Sequence, residues 1–163
     1  MKIYVSVDIE GICAVNERAA LMPGGHGYER ACRLMKAEAL AAVAGAQAAH
    51  KDSGAEDDLV ITVRDAHGTG ANLDAEGWPE PVRLITGWSD YTGYAMVEGL
   101  DLSYSAVVLV GYHGGAGAPH GVLAHTMSGR TILSWLNAAG PEPVATTLKP
   151  AADSQLSSSF NMS

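Results

Sequence analysis

The sequence contains little of several residue types that would point to particular classes of protein. Only two cysteines occur, Cys13 and Cys32, so we predict two free thiols rather than a disulfide-stabilised secreted domain. Ten basic residues stand against 18 acidic ones, and the net charge of −8 disfavours nucleic acid or an anionic membrane as a partner. No apolar run approaches the ~20 residues that span a bilayer, and the first run is too short for a signal peptide. We therefore expect a cytoplasmic protein.

Several common catalytic signatures are also missing. The sequence has no phosphate-binding P-loop, no Gly-x-Gly-x-x-Gly after a strand and no Cys-x-x-Cys pair. It has no Gly-x-Ser-x-Gly turn, which serine hydrolases use to present their nucleophile. Nucleotide binding, thiol redox chemistry and serine hydrolysis are therefore not supported.

Short apolar runs that end in acidic or imidazole side chains are the main feature present. The residues at these ends are Asp8 and Glu10, Asp65 and His67, and His113. Side chains alternate along a strand, so Asp8 and Glu10 point to the same side. Two carboxylates held that close repel each other, and one stays protonated unless a cation lies between them. The pattern therefore indicates a metal site.

The remaining patterns predict an α/β fold. Apolar residues at helical spacing predict a helix from Tyr28 to about His50, after a loop from Gly11 to Gly27. Predicted strands are Ile3–Val7, Leu59–Val63, Val82–Thr86, Ala106–Val110 and Thr131–Leu136, with a short helix at Tyr94–Gly99. Strands that are apolar throughout, with helices between them, favour a three-layer domain with a mainly parallel sheet. We predict this domain over residues 1–137 and an irregular, disordered tail over 138–163.

In such sheets, ligands bind beyond the carboxyl ends of the strands, where the five strand-end residues lie. Carboxylates and imidazoles together suit zinc, and Asp8 is placed best to bridge two ions. Asp65 is either a ligand or a residue that orients His67, and we favour the second role. His125 follows a glycine-rich loop and is a candidate acid or base. A metal ligand and a structural ring are its alternatives.

Six motifs in this order resemble the zinc-dependent D-aminopeptidases of the DppA type. They are S-V-D-I-E-G (6–11), Y-E-R (28–30), R-D-A-H-G (64–68), M-V-E-G-L (96–100), G-Y-H (111–113) and A-H-T-M (124–127). The resemblance covers residues 1 to about 137. It implies an α/β subunit of a ring-shaped homo-oligomer, which releases N-terminal D-amino acids from short peptides at a dinuclear zinc site.

The resemblance also implies roles for individual residues. Asp8 and Glu10 would bind zinc, with Asp8 bridging, and His67 and His113 would be the histidine ligands. His125 would be the catalytic histidine. The family's further glutamate ligand lies in a Gly-Glu-x-Gly-x-Asn stretch, where this sequence has Glu142 between two prolines. Family members continue into a second α/β portion, so the tail resembles a truncated end.

Three functions follow as hypotheses. The first is an aminopeptidase with two zinc ions per subunit. It would remove N-terminal amino acids, D-configured ones among them, from short peptides. The second is an inactive, truncated homologue that binds metal or serves subunit assembly. The third is another dinuclear hydrolase, an amidase or a phosphoesterase. A phosphate substrate would need basic residues, for which Arg64 and Arg130 are the obvious candidates.

Overall fold

The chain has an α/β fold in the computed structural model, which describes residues 1–89 and 96–126 and the backbone of 131–135 and 145–148. It divides into two compact units, Met1–Tyr112 and His113–Ser163. The division falls earlier than the predicted domain end at residue 137. Each unit contains its own sheet, and the first unit contains the helix.

The first unit is built on a parallel sheet of four strands. They are β1 (Lys2–Val7), β2 (Val60–Asp65), β3 (Val82–Ile85) and β4 (Ala106–Val110), in the order β3-β2-β1-β4. The register aligns Val5 of β1 with Val63 of β2 and Val108 of β4. β1 and β2 are buried almost throughout, as expected for central strands of a parallel sheet. The predicted mainly parallel α/β fold is confirmed.

Helix α1 (Tyr28–Asp52) covers one face of this sheet. It starts after Gly27, which has a left-handed backbone conformation. Glu29 lies in its first turn and His50 and Lys51 in its last turn, which suits the helix dipole. Its buried residues recur every fourth position, and the helix packs against β1 and β4. The predicted helix is therefore confirmed at its first residue and extends slightly further than expected. The predicted loop before it contains a short 3₁₀ helix, Arg18–Leu21.

The other face of β1 and β2 is covered by residues 96–104. Tyr4 donates its hydroxyl proton to the Glu98 carbonyl at 2.6 Å, and Ser6 donates to the Met96 carbonyl at 2.6 Å. The predicted helix at Tyr94–Gly99 begins outside the described residues. At the end of this segment the amide of Leu100 donates to the Val97 carbonyl, which closes a turn.

β4 lies at the edge of the parallel sheet, and its aliphatic side chains are exposed. Val107 is 47% exposed and Leu109 is 58% exposed. Among the strands that the structure describes, β4 pairs with β1 alone in this sheet. An apolar edge strand with open backbone groups favours association with another strand.

The second unit contains an antiparallel pair, β5 (Thr131–Trp135) and β6 (Ala145–Leu148). β5 lies where a strand was predicted. β6 is a correction to the prediction of a wholly irregular tail, because a strand lies within residues 138–163. The two strands of an antiparallel pair are joined by backbone hydrogen bonds, and the periodicity of side chains in the sequence does not reveal these bonds. No helix in the described part of the chain is both long and apolar enough to cross a membrane.

Glycines at the ends of β1 and β4 let these two chain segments meet. The Gly11 amide donates to the Gly111 carbonyl at 2.7 Å. Gly111 has φ +66°, and a Cβ there would lie 2.2 Å from the Asp8 carbonyl oxygen. Both the left-handed backbone and the close approach therefore require glycine next to Asp8.

We predict that Gly111→Ala destabilises the fold more than Gly54→Ala. Gly54 has a similar φ of +67° but open space around it, so its substitution costs only the backbone strain of about 1–2 kcal/mol. At Gly111 steric overlap adds about 1–3 kcal/mol. Urea unfolding of both variants measures the difference, and equal midpoints would contradict the prediction.

Candidate metal centre

Three acidic or imidazole side chains meet at the carboxyl ends of β1 and β2. Asp8 directly follows β1, Glu10 lies two residues further, and His67 lies two residues after the end of β2. Because β1 and β2 are parallel neighbours, their carboxyl ends lie at the same edge of the sheet. All three side chains are buried, with 2%, 6% and 7% of their surface exposed. The three side chains are brought together, although Asp8 and Glu10 lie in the segment that follows β1, with Glu10 in a turn, rather than in the strand itself.

The ring of His67 joins the two carboxylates. Its Nδ1 lies 2.9 Å from Glu10 Oε2 and 3.3 Å from Asp8 Oδ1. Its Nε2 lies 2.8 Å from the Leu21 carbonyl oxygen. A carbonyl only accepts, so Nε2 donates to Leu21 and the ring is held with Nδ1 towards the acids.

The protonation of this group follows from burial and hydrogen bonding. Burial raises the pKa of Asp8, and its hydrogen bond to Glu10 raises it further. Burial also opposes ionisation of Glu10, but hydrogen bonds from His67 and Asp8 outweigh it and hold its pKa at about 2. Burial acts against the imidazolium, yet hydrogen bonds to Asp8 and Glu10 raise the pKa of His67 to about 10. The hydrogen bond from His67 opposes the rise for Asp8, and together the shifts favour a neutral Asp8 beside a charged Glu10 and a charged His67.

The donor set fits zinc. Two carboxylate oxygens and one imidazole nitrogen are typical zinc ligands, and one ligand atom from each residue lies within 4.8 Å of the others. A metal ion would replace the proton on Nδ1, while Nε2 would keep its proton and donate it in the hydrogen bond to the Leu21 carbonyl. The residues present are therefore suited to hold the metal, and the protein supplies the outer hydrogen bond that orients the histidine.

Asp65 acts on the loop that carries His67. It is fully buried and accepts hydrogen bonds from the Leu73 amide at 2.7 Å and from the Asn72 side chain at 2.8 Å. The His67 amide lies 3.4 Å from its carboxylate. Asp65 thus holds the backbone of residues 67–73 rather than the imidazole ring.

Asn72 closes the same loop from its other end. Its side-chain amide donates to the His67 carbonyl at 2.7 Å, and its oxygen accepts from the Tyr28 hydroxyl at 2.7 Å. Reasoning from strand ends misses Tyr28 and the Leu21 carbonyl, because neither lies at a strand end.

The second unit contains the two other histidines of interest. The rings of His113 and His125 are stacked with centroids 3.8 Å apart and an interplanar angle of 16°. The Nδ1 atoms face the Gly114 and Leu123 carbonyl oxygens at 2.8 Å, so Nδ1 carries the proton in both rings. In the neutral ring the lone pair is then on Nε2, as metal binding or proton transfer requires.

The glycine-rich loop between these histidines packs on itself. The His125 amide donates to the Gly114 carbonyl at 3.2 Å, and a Cβ at Gly121 would lie 2.8 Å from the Ala124 Cβ. The loop's own close packing therefore requires a glycine at position 121.

The other candidates are placed as follows. Cys13 and Cys32 are both free thiols, as predicted. Arg64 is fully buried and forms an ion pair with Glu98 at 3.4 Å, which does not favour a role in binding a phosphate substrate. Glu142 and Arg130 lie outside the described residues.

Comparison with known proteins gives the family of the chain. A sequence model of the D-aminopeptidase family matches residues 1–140. The chain belongs to the D-aminopeptidase family. It is 35% identical over 127 residues to a D-aminopeptidase of Bacillus subtilis (strain 168), an alignment that covers 78% of this chain and 43% of the relative.

A solved structure gives the same result for the fold. The Zn-dependent D-aminopeptidase DppA from Bacillus subtilis, described as a self-compartmentalizing protease, matches with a TM-score of 0.71 and 31% identity. The match covers 90% of this chain and 48% of that chain. The chain therefore spans less than half the length of the relatives it matches.

We predict that Asn72→Ala destabilises the protein by about 2–3 kcal/mol, because it leaves buried partners of the Asn72 side chain without a hydrogen bond. Asn16→Ala is the control, since Asn16 is exposed and its loss should cost under about 0.5 kcal/mol. Thermal unfolding measures both, and similar melting temperatures would contradict the role given to Asn72.

Proposed function

We propose that this protein is a zinc-dependent aminopeptidase that hydrolyses N-terminal amino acids, D-configured ones in particular, from short peptides. The observation that carries the proposal is the buried group of Asp8, Glu10 and His67 in a chain of the D-aminopeptidase family. A solved relative described as a Zn-dependent D-aminopeptidase supports the choice of metal and reaction.

The proposed roles follow the family motifs. Asp8, Glu10, His67 and His113 would hold two zinc ions per subunit, with Asp8 as the shared ligand, and His125 would be the catalytic histidine. Burial of the first three in one donor set supports their part of the proposal. The stacked rings of His113 and His125, each with its proton on Nδ1, support the use of Nε2 in both.

When bound, zinc would polarise a peptide carbonyl and lower the pKa of a water molecule to about 7. The residues of the chain supply the rest. The Leu21 carbonyl holds the Nε2 proton of His67, so this ring presents Nδ1. The Leu123 carbonyl holds the Nδ1 proton of His125, so its Nε2 would take up a proton and deliver it to the departing amine.

An alternative proposal is an inactive homologue that binds metal or serves subunit assembly. The observation in its favour is that this sequence has Glu142 between two prolines where the family has its Gly-Glu-x-Gly-x-Asn stretch. The two proposals differ in turnover and agree on zinc binding, so measuring both properties separates them. The cytoplasmic location stays a prediction.

We predict that the purified chain contains zinc, close to two ions per chain by elemental mass spectrometry, and releases the N-terminal residue of D-alanyl dipeptides faster than that of their L counterparts. His67→Ala should remove zinc and turnover together, because it removes a ligand. His26→Ala is the matched control, since the His26 side chain is 92% exposed. Zinc without turnover would favour the inactive alternative, and a zinc-free protein would contradict both.

We also propose that the protein forms a homo-oligomer, in the form of a ring. The self-compartmentalizing relative and the exposed aliphatic side chains of β4 support this proposal. Each Å² of apolar surface that is buried contributes about 25 cal/mol of favourable free energy. Covering such an edge strand with a second copy of the chain would therefore be favourable.

We predict that analytical ultracentrifugation finds a mass that is a multiple of 16.9 kDa. Leu109→Lys should lower that mass, because it places a charge on the exposed apolar strand. Leu102→Lys is the control, since Leu102 is exposed in a turn that precedes β4. A monomer before substitution, or equal masses for both variants, would contradict the use of β4.

A further inference from the structure

The carbonyl group next to His67 is held by a residue that lies outside the metal centre. Trp88 donates its indole Nε1 proton to the Gly68 carbonyl oxygen at 2.7 Å, across 20 residues of sequence. Gly68 directly follows His67 and has φ +52°. The orientation of its carbonyl group is therefore tied to the backbone that places the His67 ring.

Trp88 is itself fixed by a buried cation. The Arg64 guanidinium lies over the indole ring, 4.4 Å from its centroid. Arg64 has no exposed surface and is paired with Glu98 at 3.4 Å. A planar guanidinium stacked on an indole restricts the ring to one orientation. The N–H group of Trp88 is therefore held towards Gly68.

The backbone beside Trp88 makes a second attachment to the same loop. The Gly87 amide donates to the Gly70 carbonyl at 2.6 Å. A Cβ at Gly70 would lie 3.0 Å from the Gly87 carbonyl oxygen, so the two chains are in close contact. Residues 68–70 are thus attached to residues 87–88 at two points, which we call the Trp88 clamp.

The clamp and the Asp65–Asn72 contacts hold the loop from different sides of β2. Arg64 is aligned with Ser6 and Asp65 with Val7, so the two side chains point to opposite faces of the sheet. The Gly70 amide also donates to the His67 carbonyl at 2.8 Å, which links the clamp directly to the histidine backbone. The position of His67 therefore depends on residues on both faces.

We propose that Trp88 is a positioning residue for His67, which sets the ring for metal binding through the Gly68 carbonyl. The inference rests on the proposed function, because it assigns Trp88 a part in the affinity of that zinc site. Trp88 contacts neither substrate nor metal in this proposal. Removing a contact that holds a metal ligand in place typically lowers the affinity for the metal roughly 10–100-fold.

The chain offers a matched control in Trp78. Its indole Nε1 donates to the Asp74 carbonyl at 2.8 Å, and Lys36 lies 5.7 Å from its ring centroid. Trp78 therefore has the same type of hydrogen bond and a cation over its ring, but its acceptor is seven residues from His67 rather than one. Trp88→Phe and Trp78→Phe each remove one indole N–H and keep an aromatic ring.

The first measurement uses the metal-free protein. Trp88→Phe should shift the ring nitrogen signals of His67 in NMR spectra and speed hydrogen exchange of the Gly70 amide about tenfold or more, whereas Trp78→Phe should change neither. Equal His67 signals in the two variants would overturn the inference. Should Trp88→Phe fail to fold, Trp88→Tyr removes the same indole N–H and takes its place in the same comparison.

The second measurement is zinc affinity by competition with a chelator. Trp88→Phe should weaken binding roughly tenfold or more, with Trp78→Phe equal to the unsubstituted chain. Equal affinities for both variants would overturn the inference. If the unsubstituted chain binds no zinc while Trp88→Phe still shifts the His67 signals, the proposed function fails and the positioning of His67 by Trp88 stands.

Discussion

The structure of the site depends on one constraint, which is the burial of two carboxylates side by side. Asp8 and Glu10 lie together at the end of β1 with almost no exposed surface. Such a pair is stable only with a proton or a cation. In the metal-free protein the raised pKa values of Asp8 and His67 favour a proton on each side chain, which meets this requirement. Zinc would take the place of both, so metal binding would release protons and become weaker at low pH.

His67 is thus the residue whose position matters most, and the chain holds it through its backbone. Asp65 and Asn72 bind main-chain groups of residues 67–73 on one side of β2, and Trp88 binds the Gly68 carbonyl on the other. Leu21 orients the ring itself. Residues on both faces of β2 therefore hold the loop that carries His67, and the side chains of β2 itself need not contact a metal.

The parts of the structure that the sequence predicted are those that local periodicity determines. The helix start at Tyr28 and the shared side of Asp8 and Glu10 follow from the spacing of neighbouring residues. The meeting of β1 with β2 followed from the rule for parallel sheets. The contacts of Leu21 and Trp88 with the His67 loop could not be predicted, because they depend on irregular loops with no repeating pattern. Strand β6 was missed because its segment shows little periodicity in the sequence.

The division of the chain gives metal binding and catalysis different requirements. Asp8, Glu10 and His67 all belong to the unit Met1–Tyr112, whereas His113 and His125 belong to the next one. The carboxylate–imidazole group and the contacts of His67 described above therefore lie within the first unit. Binding of a first zinc ion would need only that unit, while turnover would also need the two histidines of the second. A protein that binds one zinc ion without turnover would thus have a folded first unit and an incomplete catalytic centre, a state that zinc stoichiometry distinguishes from misfolding.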